Sequence, residues 1–241
     1  CGRIEKRCLS KMVGALRIGL ISDIHGNLPA LEAVLGTMPA VDHLLCAGDV
    51  VGYYPDVNEV CEKLRQRGAG VIRGNHDAYV SEALAPDPTK KTAYCTDWTR
   101  EVLTFKNLSW LASLPVEMRF NFGRIRIIMR HASPWDEETY LYPDSPQVDR
   151  IELQAGEFLV LGHTHIPMQM PAGAGLLINT GSVGQPRDYD PRPAYCVLDT
   201  TTGEIEFARC AYDIGAYQMH LRTLGWNEKM IQILSREKCP I

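Results

Sequence analysis

The stretch Leu16-Arg17-Ile18-Gly19-Leu20-Ile21-Ser22-Asp23-Ile24-His25-Gly26-Asn27 sets the fold. Its apolar first half reads as a buried strand. It stops at a carboxylate and an imidazole two residues apart. Such a pair at a strand terminus can bind one divalent cation; the competing reading is an Asp that caps the next helix. That helix follows, with Pro29 near its first turn and Leu31, Val34, Leu35 and Met38 on one side. The same unit then recurs. A strand over Val41–Ala47 ends in Gly48-Asp49, where the glycine lets the backbone turn and present a carboxylate. A helix over 56–67 has Val57, Val60, Cys61 and Leu64 as its apolar face. A short strand, Val71-Ile72-Arg73, ends in Gly74-Asn75-His76-Asp77. Asn75 offers a neutral oxygen donor. His76 reads either as another ligand or as an acid or phosphate clamp beside the cations. Strand, polar turn and helix in succession predict a parallel sheet with right-handed crossovers.

The rhythm then breaks. Residues 78–114 are helical in pattern, with Pro86 and Pro88 in a loop. Trp98, Val102, Phe105, Leu108, Trp110 and Leu111 form an apolar face suited to packing on the body. Met118–Phe122 and Arg126–Met129 form a hairpin that enters a second sheet. It ends at His131 and leads into a loop with Trp135, Asp136, Glu137, Glu138, Tyr140 and Tyr142. Adjacent carboxylates point to different sides, so this acidic cluster reads as a solvated face rather than ligands. The strand Phe158–Leu161 ends in Gly162-His163-Thr164-His165. If the chain stays extended the two imidazoles point the same way; if it turns at Gly162 they can serve neighbouring atoms. After a strand at Leu176–Asn179, the loop Thr180–Asp188 combines small residues, glycines and Arg187. Its amides around Ser182 and the guanidinium suit a phosphate oxygen; the alternative is a plain turn with Arg187 paired to Asp188 or Asp190. A hairpin over 194–198 and 204–208 follows, then an amphipathic helix pair over 214–235, broken near Gly225.

The 241 residues are enough for a substantial core, and no linker or repeat divides them, so residues 16–241 read as a single domain with a helical insertion at about 78–114. Net charge is −4 with no basic block, so nothing suggests a dedicated nucleic-acid surface. No apolar run reaches membrane-span length. The eight cysteines include no C-x-x-C pair, which argues against thiolate zinc and a disulfide framework and fits a reducing cytoplasm. Residues 1–15 are basic and lack a long apolar core; they are expected to be a poorly ordered extension without a part in the chemistry. The sequence leaves an oligomer open.

Side by side, the strand ends deliver Asp23 and His25, Asp49, Asn75 with His76, His131, and His163 with His165. These donors are too many for one ion. They suit two ions roughly 3.5–4 Å apart that share a carboxylate. The mixture of imidazole, carboxylate and amide without thiolate favours Mn, Fe, Zn or Ni over calcium.

The motifs D-x-H, G-D, G-N-H-[DE], a lone His and G-H-x-H occur here in that order between residues 23 and 165. In this the chain resembles the calcineurin-like metallophosphoesterases. The Gly-Ser-Val-Gly-Gln-Pro-Arg loop and Asp-Ile-His-Gly-Asn are similar to the small bacterial and archaeal phosphodiesterase-like branch. The resemblance implies an α/β fold of two mixed sheets packed as a sandwich with helices on both outer faces, a four-layer αββα arrangement. It implies that Asp23, His25 and His165 hold one divalent ion and Asn75, His131 and His163 the other, with Asp49 between them and Mn favoured. Phosphoester hydrolysis by a metal-bridging hydroxide follows, with His76 in the catalytic position and Arg187 and Ser182 on the substrate phosphate. Three positions depart from the pattern. Arg130 stands where glycine is usual, near enough to crowd a metal or reach the substrate. Thr180 replaces a common proline. Gly52 stands where protein phosphatases carry the Asp that orients the catalytic His, which leaves Asp77 as a substitute. Dinucleoside tetraphosphatase or protein phosphatase activity is the alternative within this class. A catalytically inactive scaffold is the alternative outside it, and the intact His76 counts against that.

Overall fold

A computed structural model describes residues 16–237; the extension expected at residues 1–15 lies outside the described residues. Strand β1 (Arg17–Ile21) leads to helix α1 (Leu28–Thr37), β2 (His43–Cys46) to α2 (Val57–Gln66), and β3 (Gly70–Val71) to α3 (Asn75–Val80). The pairs β1–β2 and β2–β3 are parallel, as the repeated unit predicts. Helix α3 begins at Asn75 itself, earlier than the expected 78, so Asn75 and His76 ride on a first helical turn rather than on a loop. The carboxylate of Asp77 fixes that start by accepting from the Gly74 amide at 2.9 Å.

Helices α4 (Lys91–Tyr94), α5 (Thr96–Val102) and α6 (Phe105–Ala112) follow. Leu103 and Leu111 carry their packing, whereas Val102 and Phe105 are exposed, Phe105 by 86%. That departs from the expected apolar face: the segment is cut into short helices, so no single stripe runs through it. The second sheet contains β4 (Met118–Phe122), β5 (Ile125–Met129), β6 (Glu157–Leu161), β7 (Pro167–Ala172) and β8 (Gly175–Thr180). Strand β7 carries two prolines, which disguise it in the sequence. It lies at the sheet edge, where proline is tolerated. Strands β9 (Ala194–Asp199) and β10 (Ile205–Arg209) return to the first sheet, and α7 (Ile214–Thr223) and α8 (Glu228–Ile233) close the chain.

The first sheet has the order β10-β9-β1-β2-β3 and the second β4-β5-β6-β8-β7; both mix parallel and antiparallel pairs. They face each other across an apolar core in which Ile18, Leu20 and Leu45 meet Ile127, Met129 and Val160. Helices α1, α2 and α6 cover the outer face of the first sheet through Val34, Val60, Leu64 and Leu111. The outer face of the second is covered by residues 141–153, which include a 3₁₀ helix at Pro146–Arg150 and place Leu141, Val148 and Ile151 over Leu159 and Leu177. Parallel β1 and β2 in one sheet and β5 and β6 in the other end at the same edge of the sandwich, which is where ligands sit in such sheets.

Among the described residues no helix is long and apolar enough to cross a membrane, and Cys46, Cys61, Cys95, Cys196 and Cys210 are free thiols. Ile127 is fully buried between the sheets. Ile127→Ala is expected to cost about 2–5 kcal/mol by urea unfolding, and Phe105→Ala no more than about 0.5 kcal/mol. Equal effects would mean that the inter-sheet layer is not the main core.

Candidate metal centre

The site forms where the chain leaves β1, β2, β5 and β6 and enters α3. Asp23, His25, Asp49, His163 and His165 all adopt left-handed backbone, with φ of 53°, 54°, 53°, 68° and 61°. For a residue with a side chain this costs about 1–2 kcal/mol. Lacing between the loops compensates for it. The amides of Ile24 and His25 both donate to the Asp49 carbonyl, at 2.9 and 3.0 Å, and the Asp23 amide donates to Gly48 at 3.0 Å. The carbonyl of Asp23 accepts from the Gly184 amide and from Ser182 Oγ. The first two loops therefore fold as one unit, with the 182–185 segment across them.

Both carboxylates are buried. Asp23 accepts from the His163 amide at 3.1 and 3.0 Å and from Ser22 Oγ at 2.6 Å. Gly162 makes this approach feasible, because a Cβ there would lie 2.5 Å from Asp23 Oδ2. Asp49 accepts from the His76 amide at 2.8 Å. Asp23 does not cap α1: Asn27 does, accepting from the Ala30 amide at 3.1 Å.

The rings of His25, His131, His163 and His165 each touch a backbone carbonyl with one nitrogen and turn the other inward. His25 Nδ1 lies 3.1 Å from Val51 O, His131 Nδ1 2.7 Å from Ala47 O, and His165 Nδ1 2.6 Å from Gln185 O. His163 is reversed, with Nε2 3.0 Å from Glu138 O. Donation to a carbonyl fixes the tautomer and leaves the inward nitrogen with a free lone pair, as a metal ligand requires. The inward atoms form two groups. In one, ligand atoms of Asp23, His25, Asp49 and His165 lie within 4.8 Å of one another; in the other, those of Asp49, His131 and His163 do. Asn75 joins the second group, its Oδ1 2.9 Å from His163 Nδ1 and 3.0 Å from His131 Nε2. Asp49 belongs to both. Imidazole, carboxylate and amide in this number, buried and preoriented, fit a pair of divalent transition-metal ions. His163 and His165 fall in different groups because the backbone turns at each of them, so the turning alternative holds over the extended one.

The electrostatics favour cations. Burial, against the pull of His131, lifts Asp23 to about 7. Burial would raise Asp49 too, but His131 foremost reverses this and holds it well below the usual carboxylate range. Burial would lower His131, yet the Asp49 charge, its hydrogen bond and Asp23 raise it to about 10. Burial lowers His163 to about 3 and holds His25 and His165 well below their usual value.

Around the centre, some expected residues take other places. His76 stands beside His25, ring centroids 4.8 Å apart, and burial lowers it to about 4. Asp77 does not orient it: its carboxylate accepts from the Val50, Val51 and Gly74 amides. Arg187 does not pair with Asp188 or Asp190, which engage Arg209 and Arg192. It donates instead to Tyr53 Oη at 3.2 Å and Gln185 Oε1 at 3.4 Å. The Ser182 hydroxyl is engaged within the protein. The side chain is fully buried, Oγ donates to Asp23 O and accepts from the Gln185 amide, and the amides of 183 and 184 already donate to Ser22 and Asp23. Through these bonds the loop buttresses the site. Arg130 turns away toward Glu117 and Ser133 O, so it crowds neither ligand group. The acidic loop is not simply a solvated face: Glu137 pairs with Arg73, Glu138 accepts from Tyr79 Oη, and Asp136 accepts from the amides of 138 and 139. Tyr53, unremarked in the sequence, carries no signal there beyond its place near Asp49.

The match with known proteins agrees with this geometry. Residues 16–203 correspond to the calcineurin-like phosphoesterase superfamily domain. The chain belongs to that superfamily and is a metal-dependent phosphoesterase, a hydrolase of ester bonds. It is 36% identical over 217 residues to an uncharacterized protein from Methanocaldococcus jannaschii, covering 82% of this chain and 88% of that one. It is 28% identical over 198 residues to the phosphodiesterase YfcE of Escherichia coli, covering 76% and 88%. The solved structure of a metallophosphoesterase from Sphaerobacter thermophilus superposes with a TM-score of 0.77 at 30% identity, covering 93% of this chain and all of that one.

Metal loading should release protons. Asp23 and His131 bind metal only when deprotonated, and without it they hold protons below about 7 and about 10. Affinity for Mn should therefore rise with pH between 6 and 8, by about tenfold per pH unit for each proton released. Calorimetric titration in buffers of different ionisation enthalpy measures it; a flat affinity with no proton release would refute it.

Proposed function

We propose that this chain hydrolyses phosphodiesters at a two-metal centre, with Asp23, His25 and His165 on one ion, Asn75, His131 and His163 on the other, and Asp49 shared. The observation that carries the reading is that Asp49 belongs to both groups of converging ligand atoms. Two divalent ions, Mn foremost, would neutralise the phosphate oxygens and acidify the attacking water near neutral pH. The protein's own groups do the rest. The carbonyls of Val51, Ala47, Glu138 and Gln185 hold the imidazoles in fixed tautomers, so the site is ordered before substrate arrives. His76, kept neutral by burial, donates a ring N–H toward the leaving oxygen as charge develops on it. Arg187, half-buried at the mouth, binds a non-transferred oxygen. The name of the Escherichia coli relative supports the diesterase preference.

Asp49→Asn should lower both metal content and hydrolysis of bis-p-nitrophenyl phosphate. His76→Ala should retain both ions and lose roughly 10²–10⁴-fold in turnover. Parental turnover by the His76 variant, or clearly fewer than two ions in the Mn-reconstituted parent, would overturn the assignment. A panel with Mn present, comprising a phosphomonoester, a phosphodiester, cyclic nucleotides, a dinucleoside tetraphosphate and a phosphopeptide, checks the diesterase preference.

A further inference from the structure

His76 has no hydrogen-bond partner on either ring nitrogen among the described residues; its backbone amide donates to the Asp49 carboxylate at 2.8 Å. No side chain at position 52 can supply one. Gly52 has φ +95°, and a Cβ there would lie 2.6 Å from His76 Nδ1. The imidazole occupies the space that such a side chain would fill. Other rings hold it instead: Tyr94 at 4.5 Å between centroids, Tyr53 at 4.7 Å and Tyr79 at 5.8 Å, with His25 at 4.8 Å.

Tyr53 differs from the other two tyrosines. It is itself left-handed, at φ +60°, which is rare for a bulky side chain. Its backbone is clamped on both sides. The amide donates to Tyr94 O at 3.2 Å, and the carbonyl accepts from Trp226 Nε1 at 2.7 Å. Its ring meets the edge of His25 at 4.7 Å, and its hydroxyl accepts from Arg187. One side chain thus touches a candidate metal ligand, the imidazole beside it and the guanidinium of Arg187. Strained backbone that surrounding contacts over-determine is the usual mark of a functional position.

We propose that Tyr53 is a positioning residue for phosphoester hydrolysis, its ring setting the imidazole of His76 and its hydroxyl setting the guanidinium of Arg187. The inference rests on the roles given above to those two residues. It divides the side chain into two separable contributions. The hydroxyl acts through substrate binding and the ring through turnover.

Steady-state hydrolysis of bis-p-nitrophenyl phosphate by the Mn-loaded protein tests this, with inorganic phosphate measured as a competitive inhibitor. Tyr53→Phe keeps the ring; KM and the phosphate inhibition constant should rise roughly three- to tenfold, with kcat changed by less than about twofold. Tyr53→Leu removes the ring; kcat should fall on the order of ten- to a hundredfold. Both variants should retain parental metal content. In an Arg187→Met background, Tyr53→Phe should have no further effect on KM or phosphate affinity. Unchanged constants in both variants, equal kcat loss in both, or loss of metal from either would overturn the inference. If His76→Ala or Arg187→Met behaves like the parent, the underlying assignment fails and takes this inference with it. If those two lose function while the Tyr53 variants do not, the inference alone fails.

Discussion

Two carboxylates, Asp23 and Asp49, lie buried at the closed edge of the sandwich. Buried negative charge is costly unless positive charge meets it, and the surrounding structure is arranged around that requirement. Four imidazoles converge on the pair, and His131 is driven toward the charged form by them. Divalent cations in the same place would satisfy the carboxylates better than a proton does, and the carbonyl contacts preorient the imidazoles that would hold them. The left-handed backbone at five of these positions is the geometric consequence. Side chains leaving consecutive strand ends can meet at one point only if the chain bends sharply as each strand stops.

The same constraint explains the loops around the centre. Ser22, Asn27, Asp77 and Ser182 each use the side chain to tie backbone amides or carbonyls together. The loop at 135–143 is tied in from another direction. Glu138 holds His163 through its carbonyl and Tyr79 through its carboxylate, and Tyr140 lies against the His163 ring at 3.9 Å. Arg73 anchors the loop to the first sheet through Glu137. The 135–143 loop and the converging donor residues are therefore parts of one network. The helix pair α7–α8 extends this outward: it packs on Tyr53 and Tyr54, beyond the residues that match the superfamily domain.

Much of this was legible in the sequence. Alternating strands and helices through Ile72 fixed the parallel half of the first sheet, because apolar runs and amphipathic stripes are local patterns. The ligand residues stood out because polar groups with metal-binding chemistry ended buried strands one after another. Strand β7 was hidden by Pro167 and Pro171, since edge tolerance depends on neighbours that the local pattern does not contain. The start of α3 was misplaced because the carboxylate of Asp77 and the amide of Gly74 decide it. The partner of the Ser182 hydroxyl is hidden for a related reason: a small polar residue between glycines looks the same whether its hydroxyl faces a ligand or a carbonyl.

The sequence by itself determined the class of fold, the superfamily motifs and the identity of the donors. Their partition was a matter of tertiary structure. That His163 turns to Asn75 and His165 to His25, that Asp49 lies between both groups, and that the Tyr53 ring borders the His76 imidazole all depend on contacts that the local sequence pattern does not contain. Residue type and spacing set which atoms can bind a cation. Only the packing of the two sheets sets which of those atoms arrive at the same point.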